Sequence, residues 1–153
     1  MNALKPKSII IDTDPGIDDA IALLVAMMSP ELNILGITAV AGNVTQDIAF
    51  KNVHKINHLA KTSITIYKGC EAPMVVPYEK VDNIYGETGL GYYDQKVTVP
   101  DNTLHGVDFI IRQCRSHCNS PITICTLGPL TNLAMALIKS PDIKKGIESA
   151  IPA

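Results

Sequence analysis

Short runs of β-branched apolar residues alternate along this chain with longer segments of helical pattern. Strands are predicted where these runs occur, at residues 8–11, 32–41, 64–67 and 121–126. Helices are predicted at residues 17–28, 45–60, 103–118 and 130–138. Strands that alternate with helices indicate an α/β fold, with a Rossmann-like, doubly wound and mainly parallel sheet and flanking helices. Because 153 residues is the usual size of one domain, we expect a single domain over residues 1–153.

The first predicted helix, residues 17–28, is apolar on nearly every side, and Ser29 and Pro30 end it. This composition is typical of a helix inside a protein, so we expect residues 17–28 to be buried. A stretch without periodic pattern follows the third predicted strand, from residue 69 to residue 102. Long segments of this kind are usually functional or disordered.

Four carboxylates, Asp12, Asp14, Asp18 and Asp19, lie within eight residues directly after the first predicted strand. Parallel α/β sheets bind ligands beyond the carboxyl ends of their strands, which is where this loop falls. The helix N-terminus stabilises each anion by only about 0.3–1 kcal/mol, too little to offset their mutual repulsion in a compact site. A bound cation would offset the repulsion. Donors that are all oxygen favour calcium or magnesium over zinc or copper.

Composition and charge exclude several classes of protein. Hydrophobic residues make up 46% of the chain and charged residues 18%, which indicates a globular protein and not a disordered one. The formal net charge is −2 and the basic residues are scattered, so we expect no nucleic-acid partner. The longest strongly apolar run, residues 20–28, is too short to span a bilayer, so we expect no membrane partner.

The spacing of the cysteines and the sequence near the N-terminus bear on the cellular compartment of the protein. The four cysteines show no framework of spacings, and a chain of this size needs no disulfides, so reduced thiols are expected. The short apolar run near the N-terminus ends at Asp12, before it reaches the length of a secretory apolar segment. We therefore expect a cytoplasmic protein.

Four motifs together resemble one known family. They are IIIDTDPGIDDA at residues 9–20, TAVAGN at residues 38–43, GETGLG at residues 86–91 and TLGPLTNLA at residues 126–134. Their order and spacing resemble the N-terminal half of the inosine-uridine preferring nucleoside hydrolases, which are calcium-dependent N-ribohydrolases. The resemblance implies a nucleoside hydrolase-like α/β fold and a small-molecule ribonucleoside as the substrate.

The same resemblance implies roles for five residues of this chain. Asp14 would be a calcium ligand and also the general base that activates a calcium-bound water. Asp19 would be a second ligand, and Thr126 a third through its backbone carbonyl. Asp18 and Asn43 would bind the ribose hydroxyls. The implied reaction is hydrolysis of the N-glycosidic bond of inosine- or uridine-type nucleosides to ribose and free base, with inversion at the anomeric carbon.

The chain departs from the family pattern in two respects. Tyr85 stands where the family usually has His before the Gly-Glu-Ser/Thr-Gly segment, which leaves the preference for purine or pyrimidine bases open. The resemblance covers nearly the whole chain but only the N-terminal half of the family's sequence, so we interpret the chain as a truncated member. Surfaces that the second half covers in the family would be exposed here. We therefore expect a homo-oligomer.

Three alternatives remain open at this stage. In the first, no ion is present: Asp18 caps the helix, Asp19 lies in its first turn, and Asp12 and Asp14 are solvated. In the second, the chain is a non-catalytic remnant that retains calcium or ribose binding. In the third, it is a haloacid-dehalogenase-like, magnesium-dependent phosphohydrolase with Asp12 as the nucleophile and Asp14 as the acid and base.

Overall fold

A five-stranded sheet forms the centre of the structure, with helices on both of its faces. The computed structural model describes residues 5–77, 86, 88–93, 95–100 and 103–153. The strands are β1 (Lys7–Thr13), β2 (Leu32–Ala39), β3 (Ile66–Lys68), β4 (Ile122–Thr126) and β5 (Ile147–Pro152). The helices are α1 (Ile17–Met28), α2 (Gln46–Leu59), α3 (Gly106–Ser116) and α4 (Thr131–Lys139). A 3-10 helix at Pro141–Gly146 leads into β5.

The strands pair in parallel in the order β3-β2-β1-β4-β5. The chain first moves to one side of β1 through β2 and β3, and later returns to its other side with β4 and β5. In this register Asp12 of β1 lies beside Thr38 of β2 and Thr126 of β4. The predicted doubly wound, parallel α/β sheet is confirmed. The crevice between the ends of β1 and β4 is the switch point at which such folds bind ligands.

Buried apolar side chains form one layer on each face of the sheet. One layer joins β1 and β2 to α1 and α2, and includes Ile9, Ile11, Leu23, Ile37 and Val53. The other joins β1 and β4 to α3 and α4, and includes Ile10, Phe109, Ile110, Ile124 and Leu133. Strand β1 supplies both layers because successive side chains of a strand point to opposite faces. This explains its unbroken run of isoleucines, which is typical of a strand covered on both sides.

Helix α1 is not buried, contrary to the expectation from its composition. Leu23 has no exposed surface, but Ile21, Val25 and Met28 are 60%, 66% and 75% exposed. The helix packs against the sheet and α2 along one side, and a single side is all that a surface helix can bury there. Its outer side carries an exposed row of apolar residues, here called the α1 stripe, formed by Ile17, Ile21, Val25 and Met28. None of the helices in the described ranges is long and apolar enough to cross a membrane.

The bounds of the first four strands differ from the sequence prediction by one or two residues, and a fifth strand was not predicted. β3 begins at Ile66, two residues later than expected. β5 was not predicted, because four of its six residues are exposed and it lacks the apolar run that marks β1 and β4. Among the described residues β5 pairs only with β4, so it is an edge strand. Tyr85, at which the family pattern is broken, lies outside the described residues.

Candidate active site

The acidic loop between β1 and α1 is buried, although it carries four carboxylates. Every residue from Asp12 to Gly16 is buried, whereas Asp18 is exposed. Gly16 is the N-cap of α1 and its carbonyl accepts the Ala20 N–H; among the described residues no side-chain hydrogen bond caps this helix. The alternative in which Asp18 caps the helix while Asp12 and Asp14 are solvated is therefore wrong.

Asp14 and Asp19 form a buried pair at the mouth of this loop, with exposed fractions of 3% and 7%. Asp14 Oδ2 accepts a 2.6 Å hydrogen bond from the backbone N–H of Asn43, and Asp19 Oδ2 accepts one of 3.1 Å from the hydroxyl of Thr13. The other oxygen of Asp14, Oδ1, is buried without a hydrogen-bond partner among the described residues. An unpartnered buried carboxylate oxygen is costly unless a ligand satisfies it.

The pair is electrostatically strained. Burial raises the pKa of both carboxyl groups above the ordinary value. The charge of Asp19 raises the pKa of Asp14 further, and the charge of Asp18 does the same to Asp19, while hydrogen bonds from Asn43 and Thr13 act in the opposite direction. Two neighbouring carboxyls in a desolvated place cannot both ionise cheaply. A cation between them would relieve this strain.

The side-chain atoms of the pair that could bind a metal ion are oxygens, which suit a hard cation such as calcium or magnesium. Within the described ranges, His, Cys, Asp and Glu side chains nowhere gather in groups of three or more around a possible metal position. A cation here would therefore depend on Asp14 and Asp19 together with neutral oxygens. Thr126 lies at the end of β4, and its carbonyl accepts a hydrogen bond from the N–H of Ala153. A carbonyl oxygen has two lone pairs.

Two glycines from different loops make room for the carboxylate of Asp14. A Cβ atom at Gly42, after β2, would lie 2.0 Å from Asp14 Oδ2, and one at Gly128, after β4, would lie 2.6 Å from Oδ1. Any larger residue at either position would collide with the carboxylate. The glycines belong to two of the sequence motifs, but their contact with Asp14 depends on strand order and was not predicted.

Asp12 lies beneath the pair and has no exposed surface. Its Oδ1 accepts hydrogen bonds from the hydroxyl of Thr38 (2.5 Å) and the side-chain amide of Asn132 (2.7 Å). Burial raises the pKa of Asp12 to about 6, although these two hydrogen bonds lower it. A carboxylate so enclosed has no access to a phosphate group, which disfavours the alternative with Asp12 as the nucleophile of a phosphohydrolase.

A buried asparagine connects the acidic loop to the glycine-rich loop at residues 86–91. The side-chain amide of Asn52, in α2, donates to the carbonyls of Thr88 (2.7 Å) and Pro15 (3.3 Å). Gly89 is close enough that a Cβ there would lie 3.0 Å from the Pro15 carbonyl. Sequence reasoning missed Asn52, since a lone asparagine in a helical pattern carries no signal of such a contact. Glu87 of this loop lies outside the described residues.

The structure thus brings Asp14, Asp19 and Asn43 together, and places Thr126 two residues before the glycine that borders Asp14. Asn43 is half-buried and contacts Asp14 through its backbone. Asp18 lies on the exposed side of the first turn of α1, near Asp19. The arrangement defines a doubly wound α/β protein with an oxygen-lined, acidic site at the switch point of its sheet.

Comparison with known proteins identifies the family. The family model for the inosine-uridine preferring nucleoside hydrolases matches residues 9–151, and the chain belongs to this family. It is 37% identical over 147 residues to a probable uridine nucleosidase 2 of Arabidopsis thaliana, covering 92% of this chain and 45% of that protein. It is 36% identical over 149 residues to the inosine-uridine preferring nucleoside hydrolase of Crithidia fasciculata, covering 95% and 47%.

A solved structure agrees with this assignment. The purine-preferring ribonucleoside hydrolase from Gardnerella vaginalis is similar with a TM-score of 0.83 and 31% sequence identity, over 95% of this chain and 48% of that one. The chain spans less than half the length of these three relatives. The resemblance to the N-terminal half of the family is confirmed.

If the buried Asp14–Asp19 pair is strained, neutralising one member should stabilise the metal-free protein. Asp14→Asn retains an oxygen that accepts the Asn43 N–H but removes a buried charge. We expect its free energy of unfolding, from urea denaturation in EDTA at pH 8, to exceed that of the parent by at least about 1 kcal/mol. The control Asp18→Asn, at an exposed position, should change it by less than about 0.5 kcal/mol. A destabilised Asp14→Asn would contradict the strain.

Proposed function

We propose that this chain carries the metal-binding and ribose-binding part of a nucleoside N-ribohydrolase, which hydrolyses the N-glycosidic bond of inosine- or uridine-type ribonucleosides. The observation that carries the proposal is the buried Asp14–Asp19 pair at the switch point, in which Asp14 Oδ1 has no hydrogen-bond partner among the described residues. Membership of the family supports it, as do relatives whose names include uridine nucleosidase and inosine-uridine preferring nucleoside hydrolase.

Calcium fits the residues of the proposed site. Asp14 and Asp19 would hold it through carboxylate oxygens and Thr126 through its backbone carbonyl, all hard donors of the kind that calcium prefers. When bound, the ion would supply positive charge that offsets the repulsion between the carboxylates and lowers the pKa of water beside it. Calcium takes six to eight oxygens in proteins, so water and substrate hydroxyls would complete the set.

Asp14 is the proposed general base. The Asn43 N–H holds Oδ2, which leaves Oδ1 as the oxygen available to accept a proton from the attacking water. Burial raises the pKa of Asp14 to about 7 in the metal-free protein, and a cation held by the same carboxylate would lower it, so Asp14 would be ionised and able to accept a proton at neutral pH. Cleavage of an N-glycosidic bond passes through a cationic, oxocarbenium-like ribosyl group, and nearby carboxylates stabilise that charge.

Asp18 and Asn43 are the proposed contacts to ribose. Asp18 is exposed in the first turn of α1, and Asn43 contacts Asp14 through its backbone, so its side-chain amide is free of that contact. A carboxylate beside Asp14 can accept hydrogen bonds from neighbouring sugar hydroxyls, and an amide can both accept from them and donate to them. Such contacts orient the anomeric carbon towards the attacking water.

The α1 stripe supports a further proposal, that the chain forms a homo-oligomer. Its four residues lie at helical spacing and are between 44% and 75% exposed. A contiguous row of large apolar residues is typical of an interaction surface.

We also propose a cytoplasmic location, which the four free cysteines support and which fractionation of expressing cells would test.

Calcium should stabilise the protein. At a hundredfold excess over Kd, we expect the free energy of unfolding to rise by about 2.7 kcal/mol, seen as a higher Tm in CaCl₂ than in EDTA. Asp14→Asn should lose this rise. Asp142→Asn, which removes an exposed carboxylate in the 3-10 helix, should keep it. An unchanged Tm of the parent at millimolar CaCl₂ would exclude the calcium site.

Ribose release tests the activity itself. We expect the purified parent to release reducing sugar from inosine or uridine in the presence of calcium. Removing a general base lowers a rate by about 100-fold or more, so Asp14→Asn should be nearly inactive and Asp142→Asn unaffected. A folded parent that binds calcium but releases no ribose would support the non-catalytic alternative instead.

The oligomer proposal has its own test. Ile21→Glu places a charge in the middle of the α1 stripe and should yield a monomer, because a buried unpaired charge opposes association. Ile138→Glu, at a position on α4 that is 62% exposed against 60% for Ile21, should leave the oligomer intact. The measurement is molar mass by light scattering. A monomeric parent would contradict the proposal.

A further inference from the structure

Asn132 joins four segments of the chain directly beneath the candidate site. It is the second residue of α4 and has no exposed surface. Its side-chain amide donates to Asp12 Oδ1 at 2.7 Å and to the Ala39 carbonyl at 3.4 Å, and its oxygen accepts the Cys70 N–H at 2.7 Å. These contacts connect the start of α4 to the ends of β1 and β2 and to the turn after β3. They span 62 to 120 residues of sequence.

Only an amide side chain satisfies all of these partners. Asp12 and the Ala39 carbonyl accept, whereas the Cys70 N–H donates, so the residue between them needs donors and an acceptor in one planar group. An aspartate at position 132 would bring a second anion against Asp12, and an apolar residue would leave buried polar groups unpaired. The neighbouring turn is shaped for this side chain, since a Cβ at Gly69 would lie 2.2 Å from the Asn132 amide nitrogen.

The hydrogen bonds that fix the Asp12 side chain are connected to the candidate site through the Asp12 backbone. Asn132 and Thr38 both donate to Oδ1 of Asp12, which fixes that side chain from two sides. The backbone carbonyl of Asp12 accepts the N–H groups of Leu127 (2.7 Å) and Gly128 (3.4 Å), and Gly128 borders Oδ1 of Asp14. Asp12 therefore fixes the turn that borders Asp14 and the strand end from which Asp14 emerges.

We propose that Asn132 is a positioning residue for the Asp14–Asp19 cation site. By holding Asp12 together with Thr38, it keeps the ends of β1, β2 and β4 in the arrangement that the site requires. The inference rests on the proposed function only in taking the ligand to be calcium. The structural part of the inference does not depend on any ligand. It states that loss of Asn132 destabilises the strand ends around the site more than the rest of the sheet.

The first test measures calcium binding by isothermal titration of CaCl₂ into folded protein. Loss of a residue that orients metal ligands typically weakens binding 10- to 100-fold, and we expect an increase in Kd of this size for Asn132→Ala. The matched control is Asn57→Ala, which removes another buried asparagine, bonded to the Ile64 carbonyl beyond the amino end of β3. Both variants lose stability, but only Asn132→Ala should lose calcium affinity. Equal Kd values for Asn132→Ala and the parent, or equal losses in both variants, would overturn the proposal.

The second test uses amide hydrogen exchange without calcium. In Asn132→Ala, we expect protection of the Leu127 and Asn43 N–H groups, which bond Asp12 and Asp14, to fall at least about tenfold relative to amides within β4. A uniform loss of protection across the sheet would overturn the positioning role. If the parent binds no calcium, the proposed function fails, and the exchange result still decides the role of Asn132.

A second variant covers the case in which Asn132→Ala does not fold. Thr38→Val replaces a buried hydroxyl by a methyl group of similar size and removes the other hydrogen bond to Asp12 Oδ1. We expect the same direction of change in both measurements. Unchanged calcium affinity and unchanged protection at Leu127 and Asn43 in Thr38→Val would refute the role of the Asp12 contacts.

Discussion

The central position of β1 is the constraint on which the rest of the structure depends. Because β1 pairs in parallel with both β2 and β4, its carboxyl end faces the ends of two strands that are far apart in sequence. The chain leaves β1 to one side and returns on the other, which opens a crevice at the turn after Thr13. The acidic loop occupies this crevice, so a segment that would be solvated on an ordinary surface becomes buried.

Burial distinguishes Asp12, Asp14 and Asp19 from carboxylates on an ordinary protein surface. A desolvated pair, Asp14 and Asp19, costs free energy that the fold itself does not recover, since Asp14 keeps one oxygen without a partner among the described residues. Strain of this kind is typical of sites that a ligand completes. The surroundings favour the strained arrangement: Gly42 and Gly128 leave space for the carboxylate, and the Asn43 N–H fixes its orientation.

Much of the fold and of the candidate site could be predicted from the sequence, and what was missed depends on contacts between distant segments. The parallel α/β sheet and the position of the acidic loop follow from local patterns, which is why both were predicted. The contacts of Asn52 and Asn132 were not predicted, although Asn132 belongs to a recognised motif, because a buried asparagine resembles an exposed one in sequence. Helix α1 was expected to be buried, since composition shows how apolar a helix is but not how many of its sides the fold covers.

The sequence by itself determined the order of the first four strands and the four helices, the four carboxylates after β1, and the motifs that relate the chain to its family. These features depend on neighbouring residues, whose spacing sets local structure. Only the tertiary structure decided which carboxylates are buried, which of their oxygens lack a partner among the described residues, and which residues hold Asp12. The hydrogen bonds to Asp12 join residues 26 to 120 positions apart, and such contacts exist only once the strands have paired. Burial likewise depends on which segments pack together.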